Sequence, residues 1–175
     1  GRCAQTCRLP FDAEQNGTYV NKKNEKYILS LKDLCTLDLI PDILEAGVCS
    51  LKIEGRMKSP RYKAGVVSIY QKYVDLYLKE GRAGYHVEKA DRDALRALFD
   101  RGGQSQGYYR THNGRDMVVL KEKPEYRDVD QELFDYLDRT YVNAEKKIPV
   151  TGSAYIAVGK LGYFSVSDEA GNTAW

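Results

Sequence analysis

The residues best suited to chemistry lie in one charged run of the sequence, residues 50–62. Lys52 and Glu54 alternate with apolar residues, so an extended strand would place both on the same face. Arg56 follows in the next loop. Buried charges without partners are costly, so we expect these three residues to pair with each other or with a ligand. Lys52, Glu54 and Arg56 are candidate catalytic residues, and a structural ion pair at the end of a sheet is the alternative.

A second candidate site follows the same run. Ser59-Pro60 is a typical helix start, with serine as the N-cap and proline at the first helical position. Helix N-termini present free backbone N–H groups and attract anions. Lys58, Ser59 and Arg61 are therefore predicted to bind an anion such as a phosphate, with solvated basic residues as the alternative.

All four cysteines lie in the first 49 residues, at positions 3, 7, 35 and 49. A disulfide framework is disfavoured because disulfide-stabilised secreted domains are usually shorter and richer in cysteine. Cys49 alternates with Leu51 and Ile53, which predicts a buried thiol in a strand. Cys3 and Cys7 lie in a segment without apolar periodicity. For Cys3, Cys7 and Cys35, both metal binding and a structural role stay open.

Other motifs favour structural roles. The glycine-rich residues 102–108 lack the phosphate-binding loop pattern and are predicted to form turns. The tyrosines of residues 62–77 recur at helical spacing, which indicates packing rather than a stacking platform. His112 lies beside a turn-forming sequence and is predicted to be exposed.

The elements that must position these residues alternate in type. Residues 27–30 and 48–54 are predicted strands, while residues 34–46 and 60–80 are predicted helices. A strand–helix–strand–helix order is typical of a parallel α/β sheet or barrel. The charged side chains would then lie near the C-terminal rim of that barrel, where active sites gather.

Beyond residue 81 this alternation ends. Residues 91–99 and 129–141 are predicted helices, and residues 154–158 and 161–166 are predicted strands followed by a turn at 168–172. The expected fold is α/β, the end of a barrel-like βα region, followed by an α+β region and the start of a small β domain. The predicted boundaries are 1–85 for the end of the catalytic region, 86–147 for a connecting region and 148–175 for the β-rich domain.

Composition excludes several classes of protein. The chain has 175 residues, 42% hydrophobic and 30% charged, which is inconsistent with wholesale disorder. No apolar run approaches the ~18 to 20 residues needed to span a membrane. The net charge of +2 gives no argument for nucleic-acid binding by the whole domain. The chain starts inside a motif without methionine, so we expect a segment of a longer protein that is inactive alone.

Four ordered motifs carry a resemblance to a known family. They occupy residues 1–8, 29–35, 40–47 and 51–59 and resemble the collagenase-like peptidases, family 32 of peptidases of unknown catalytic type (peptidase U-32). Residues 88–119 resemble the continuation seen in longer bacterial members, including those that hydroxylate ribosomal RNA.

This resemblance implies two activities. Some members are described as proteases, and others hydroxylate RNA or a ubiquinone precursor without oxygen, several with a 4Fe–4S cluster. By position in the motifs, Cys3 and Cys35 match cluster ligands, Cys7 is a possible one, and two further ligands would lie upstream. We expect a cytoplasmic, cluster-dependent RNA hydroxylase. The alternatives are a peptidase acting on peptides and a noncatalytic interaction module.

Overall fold

The computed structural model describes residues 3–112, 114–121, 130–145 and 148–174. The chain forms two compact units, residues 1–142 and residues 143–175. The predicted helix start at Val129 and the linker residues Lys146 and Lys147 lie outside the described residues. No helix within them is long and apolar enough to cross a membrane.

In its described residues, the first unit has four α-helices and two pairs of short strands. In chain order its elements are β1 (Glu14–Gln15), β2 (Thr18–Tyr19), β3 (Asp33–Leu34), α1 (Ile40–Glu45), α2 (Pro60–Gly84), α3 (Lys89–Leu98), β4 (Gln104–Ser105) and α4 (Gln131–Leu137). Helix α4 continues into a π-helical turn, Asp138–Val142. Strands β1 and β2 form an antiparallel hairpin around Asn16-Gly17, whose positive φ angles of 51° and 78° suit such a turn.

The long helix α2 carries the core of this unit. It begins as predicted, with the Ser59 hydroxyl accepting a hydrogen bond from Tyr62 N at 3.2 Å and Pro60 in the first turn. Gly81, at φ 67°, interrupts it close to the predicted end. The buried core residues come from α2, α3, α4 and the turn before α1: Leu37, Val66, Ile69, Tyr73, Leu95, Leu98 and Leu137. The predicted packing role of the tyrosines of α2 is confirmed, since Tyr73 is in the core and Tyr62 and Tyr70 pack against it.

Helix α1 ends at a glycine, as the sequence indicates. Gly47 has φ 85° and donates its N–H to Leu44 O at 3.0 Å. This left-handed conformation suits glycine because it has no side chain to clash with the backbone.

Two predicted strands of the first unit are wrong. Residues 27–30 form a turn in which Ser30 N donates to Tyr27 O at 3.0 Å. Residues 48–54 have no regular secondary structure, and no strand pairs with them among the described residues. Cys49 is consequently exposed rather than buried, although Leu51 and Ile53 are half-buried. Side-chain alternation indicates an extended segment, but a strand also needs a neighbour to complete its hydrogen bonds.

The glycine-rich stretch contains a strand that the sequence prediction missed. Strand β4 pairs in parallel with β3, with Asp33 opposite Gln104 and Leu34 opposite Ser105. The preceding residues form the predicted turn: the Asp100 carboxylate accepts hydrogen bonds from the backbone N–H groups of Gly102 and Gly103. A β-carbon on Gly102 would lie 2.6 Å from a methyl group of Val119, so the close approach requires glycine there.

The second unit is an antiparallel sheet of three strands. They are β5 (Val150–Tyr155), β6 (Tyr163–Asp168) and β7 (Thr173–Ala174), in the order β5-β6-β7. The observed strands are displaced from the predicted 154–158 and 161–166, and residues 156–162 connect them. The turn after β6 is confirmed, with the Asp168 carboxylate accepting from Asn172 N at 2.8 Å.

Candidate functional site

A cleft of about 530 Å³ lies in the first unit, between the β3–α1 connection and residues 48–54. Its size is within the range of small-ligand sites, ~300 to 1,000 Å³. Ionisable and aromatic side chains that line it include Asp33, Lys52, Glu54, Lys58, Tyr62, Phe99 and Tyr109.

Packing between distant segments positions the inner part of the cleft. Asp33 N donates to Gly103 O at 3.1 Å, and the Asp33 carboxylate accepts from Arg101 N at 3.0 Å. These bonds attach the β3 side of the cleft to the segment between α3 and β4. Burial raises the pKa of Asp33, opposed by the Arg101 N–H and by the charges of Lys58, Arg101 and Arg8.

Lys58 is the half-buried cation of the cleft. Its ammonium lies over the Phe99 ring and 5.2 Å from the centroid of the Tyr62 ring. The Arg101 guanidinium lies 4.4 Å from the centroid of Phe99. Burial, then the charge of Arg101, lowers the pKa of Lys58 to about 8, and the nearby Asp33 charge only partly offsets this. Within the described part of the chain, Lys58 forms no ion pair with a carboxylate.

The three predicted catalytic residues occupy more exposed positions. Lys52 and Glu54 line the cleft with exposed side chains, while Arg56 is exposed outside it. The Glu54 carboxylate accepts from Arg56 N at 2.9 Å, and this bond lowers the pKa of Glu54. No ion pair joins these three side chains in the described residues. Their catalytic role stays a prediction.

The predicted anion-binding residues separate into different roles. The Ser59 hydroxyl caps α2. Arg61 forms a bidentate ion pair with Asp138, and its guanidinium lies 5.2 Å from the Phe134 ring centroid. Only Lys58 faces the cleft. Anion binding by the three together stays a prediction.

The cysteines differ in their exposure to solvent. Cys3 and Cys7 are exposed and Cys35, just after β3, is half-buried. Cys35 N donates to Ser105 O at 2.9 Å, which holds that residue beside β4. A 4Fe–4S cluster needs about four thiolates. No three His, Cys, Asp or Glu side chains of the described residues are grouped to hold a metal ion, so these residues do not form a cluster site by themselves.

Three residues around Lys58 are not among the predicted site residues: Asp33 and Phe99, which line the cleft, and Arg101, which lies against the Phe99 ring. Asp33 directly precedes Leu34 in an apolar segment, and Phe99 and Arg101 precede the two glycines. A charged residue beside a glycine turn is a usable signal for a loop near a site. Sequence spacing gives no indication that these segments meet Lys58.

Comparisons with known proteins assign a family. The sequence profile of peptidase family U32 matches residues 1–118, which include every residue that lines the cleft. The chain is 35% identical over 114 residues to tRNA hydroxylation protein P1 of Bacillus subtilis, covering 57% of this chain and 27% of that protein. It is 35% identical over 111 residues to a collagenase of Porphyromonas gingivalis, covering 62% and 29%.

A ribosomal RNA enzyme is also similar. The 23S rRNA 5-hydroxycytidine synthase of Escherichia coli is 36% identical over 81 residues, 46% of this chain and 12% of that protein. The chain thus spans less than a third of these relatives. No solved structure matches significantly. The profile match covers well over half of the chain, and the chain therefore belongs to peptidase family U32.

Proposed function

We propose that the protein containing this chain hydroxylates RNA without using oxygen. The observation that carries this proposal is the similarity to tRNA hydroxylation protein P1, 35% identity over 114 residues. The similarity to the 23S rRNA 5-hydroxycytidine synthase supports the same substrate class. Since tRNA and rRNA are cytoplasmic, we expect the protein to act in the cytoplasm.

The chemistry of the cleft agrees with a nucleotide substrate. Lys58, Arg101 and Arg8 place three cations around the half-buried carboxylate of Asp33, while Asp42 and Glu54 line other parts of the cleft. The local excess of positive charge around Asp33 favours a phosphate-bearing ligand at that end of the cleft. Tyr109 lies on the cleft with 56% of its surface exposed, and an exposed aromatic ring can stack on a base.

The proposal includes a 4Fe–4S cluster, with Cys3 and Cys35 as two ligands and Cys7 as a possible third. Such a cluster would supply one-electron redox chemistry. The described residues do not form a complete ligand set for it. We also propose that residues 1–85 end a barrel-like catalytic region, because β3 and β4 pair in parallel beside the cleft.

A strain lacking the gene for this protein tests the RNA proposal. Mass spectrometry of nucleosides from purified tRNA and 23S rRNA should show the loss of a nucleoside one oxygen heavier than its parent. The intact gene should restore it, and so should the gene with the exposed residue changed by Lys63→Met. The Lys58→Met gene should restore much less. An unchanged nucleoside profile in the deletion strain would contradict the proposal.

Peptidase activity is the second candidate, favoured by the similarity to the Porphyromonas gingivalis collagenase. Cleavage of gelatin by the purified full-length protein, with no change of the nucleosides in the deletion strain, would establish this alternative. Gelatin that stays intact, with a lost nucleoside, would support RNA hydroxylation.

A further inference from the structure

We propose that Lys58 is a nucleophilic amine that captures an aldehyde or ketone bearing a negative charge, and that the cleft is its binding site. This inference does not rest on the RNA proposal. It rests on the position of one side chain among its neighbours, and no comparison assigns it.

The first step is the competition of two cations for one aromatic ring. The Lys58 ammonium and the Arg101 guanidinium both contact Phe99, which is itself 7% exposed. A ring face attracts a cation, but two cations on one ring repel each other. Arginine stays protonated in proteins, whereas lysine readily loses its proton when desolvated. Lys58 is therefore the group that relieves the repulsion by becoming neutral.

The second observation concerns the charged groups around the Lys58 amine. The charges of Asp33 in β3, Arg8 in the short 3-10 helix Thr6–Arg8 and Arg101 before β4 all act on the Lys58 amine. Tyr62 of α2 lies beside the amine. Of the charged groups that act on the Lys58 amine in the described residues, Arg101 and Arg8 together outweigh Asp33, so the potential at the amine is positive. Lysines desolvated in apolar surroundings or placed next to another cation are the ones that act as amine nucleophiles.

The third step is access. Lys58 is half-buried but lines a cleft of about 530 Å³, enough for a small carbonyl compound. The positive potential favours a ligand that carries a carboxylate or phosphate besides its carbonyl group. The amine lone pair would attack the carbonyl carbon to form a C–N bond, and the carbonyl oxygen would take a proton. Loss of water then gives an imine, so amine and carbonyl yield imine and water without oxidation or reduction.

The expected difference in reaction rate between Lys58 and an exposed lysine follows from the fraction of each amine that is unprotonated. With a pKa of about 8, roughly one Lys58 amine in ten is neutral at pH 7, against about one in 3,000 for an ordinary lysine of pKa near 10.5. Because a weaker base is also a weaker nucleophile, we expect Lys58 to react about tenfold faster than an exposed lysine at that pH. Lys63, exposed on the same helix, is the matched comparison.

The test uses the 175-residue chain with pyridoxal 5′-phosphate as the anionic aldehyde and pyridoxal as its uncharged counterpart. Borohydride reduces any imine to a stable amine, and peptide mass spectrometry identifies the labelled lysine. We expect Lys58 to be labelled about tenfold faster than Lys63 at pH 7, and faster by the phosphate than by pyridoxal. Lys58→Arg should abolish the fast labelling, and Lys63→Arg should preserve it.

A pH series and a second variant complete the test. Labelling of Lys58 should rise as the pH approaches 8 and then level off, while labelling of Lys63 keeps rising to higher pH. Arg101→Gln should slow the labelling of Lys58 at pH 7, because one of the opposing cations is removed. Equal rates for Lys58 and Lys63 in the wild-type chain would overturn the proposal, whatever the folding of the variants. Equal rates for the two aldehydes would overturn the preference for an anion.

Discussion

At the scale of single residues, burial distinguishes Lys58 from the other charged residues of its run. Lys52, Glu54 and Arg56 are exposed, so water stabilises their charges. Lys58 lies against the rings of Phe99 and Tyr62, and its pKa is lowered because its surroundings solvate the ammonium poorly. Lys52 and Glu54 are predicted as site residues from an alternating pattern. That pattern does not specify which charged side chain becomes buried in the folded chain.

Tyr73 gives a prediction at the same scale. Its fully buried hydroxyl donates to the Asp91 carboxylate at 2.6 Å and accepts from Glu88 N at 2.9 Å. Tyr73→Phe removes both hydrogen bonds at a fully buried position, while Asp91 keeps its ion pair with Lys72. At about 0.5–1.5 kcal/mol for each bond, the change should lower the free energy of unfolding by about 1–3 kcal/mol. Urea unfolding followed by circular dichroism measures this change.

Tyr77→Phe is the matched control. The Tyr77 hydroxyl donates to the Glu45 carboxylate at 2.9 Å on the exposed side of α2. Water can replace that bond, so we expect a change below about 1 kcal/mol. If Tyr77→Phe destabilised the chain as much as Tyr73→Phe, burial of the Tyr73 hydroxyl would not explain the loss of stability.

At the scale of elements, α2 organises the first unit. It packs against α3 and α4 at Gly65, where a β-carbon would lie 2.5 Å from one methyl group of Leu98 and 3.1 Å from one of Leu137. Glycine inside a helix normally costs stability. Its presence at Gly65 is explained by the close approach of three helices.

This contact predicts the effect of enlarging the residue. Gly65→Val should overpack the core and lower the free energy of unfolding by about 1–3 kcal/mol, despite the gain in helix propensity over glycine. Thermal unfolding followed by circular dichroism measures the loss. Lys63→Val, at an exposed position of the same helix, controls for the helix propensity of valine and should change stability by less than about 1 kcal/mol. A Gly65→Val chain as stable as the wild type would contradict the close packing.

At the scale of the whole molecule, residues 1–142 contain the core, the cleft and all residues discussed as sites. Residues 143–175 form a separate compact unit with its own antiparallel sheet. Separate compact units of a chain can fold independently when each has its own core. The first unit has such a core, so its stability should not depend on the second.

A truncation after Glu145 tests this independence. We expect the helical signal of the shortened chain to unfold at the same urea concentration as that of the full chain, within about 0.5 kcal/mol. A truncation after Lys121 is the control, because it removes α4 and Leu137, which is 1% exposed in the core. That chain should lose several kcal/mol or fail to unfold cooperatively. Equal losses from both truncations would show that the sheet unit supports the core.

The sequence by itself determined helices α2 and α3, the end of α1 and the family. The predicted helix over residues 34–46 is wrong at its start, because Leu34 belongs to strand β3 and α1 begins at Ile40. The apolar spacing of α2 and α3, the Ser59 cap and the glycine after α1 act through neighbours a few residues away, so these signals are readable locally. The family motifs are likewise contiguous runs, and the profile match over residues 1–118 confirms the family.

Only the tertiary structure determines which side chains meet inside the cleft. Lys58 meets Phe99 and Arg101 across about forty residues of chain, and β3 meets β4 across about seventy. The failed strands at 27–30 and 48–54 have the same origin, because pairing depends on a partner that local alternation cannot specify. Burial, and with it the pKa of Lys58, arises from contacts between distant segments, and no local pattern encodes which segments those are.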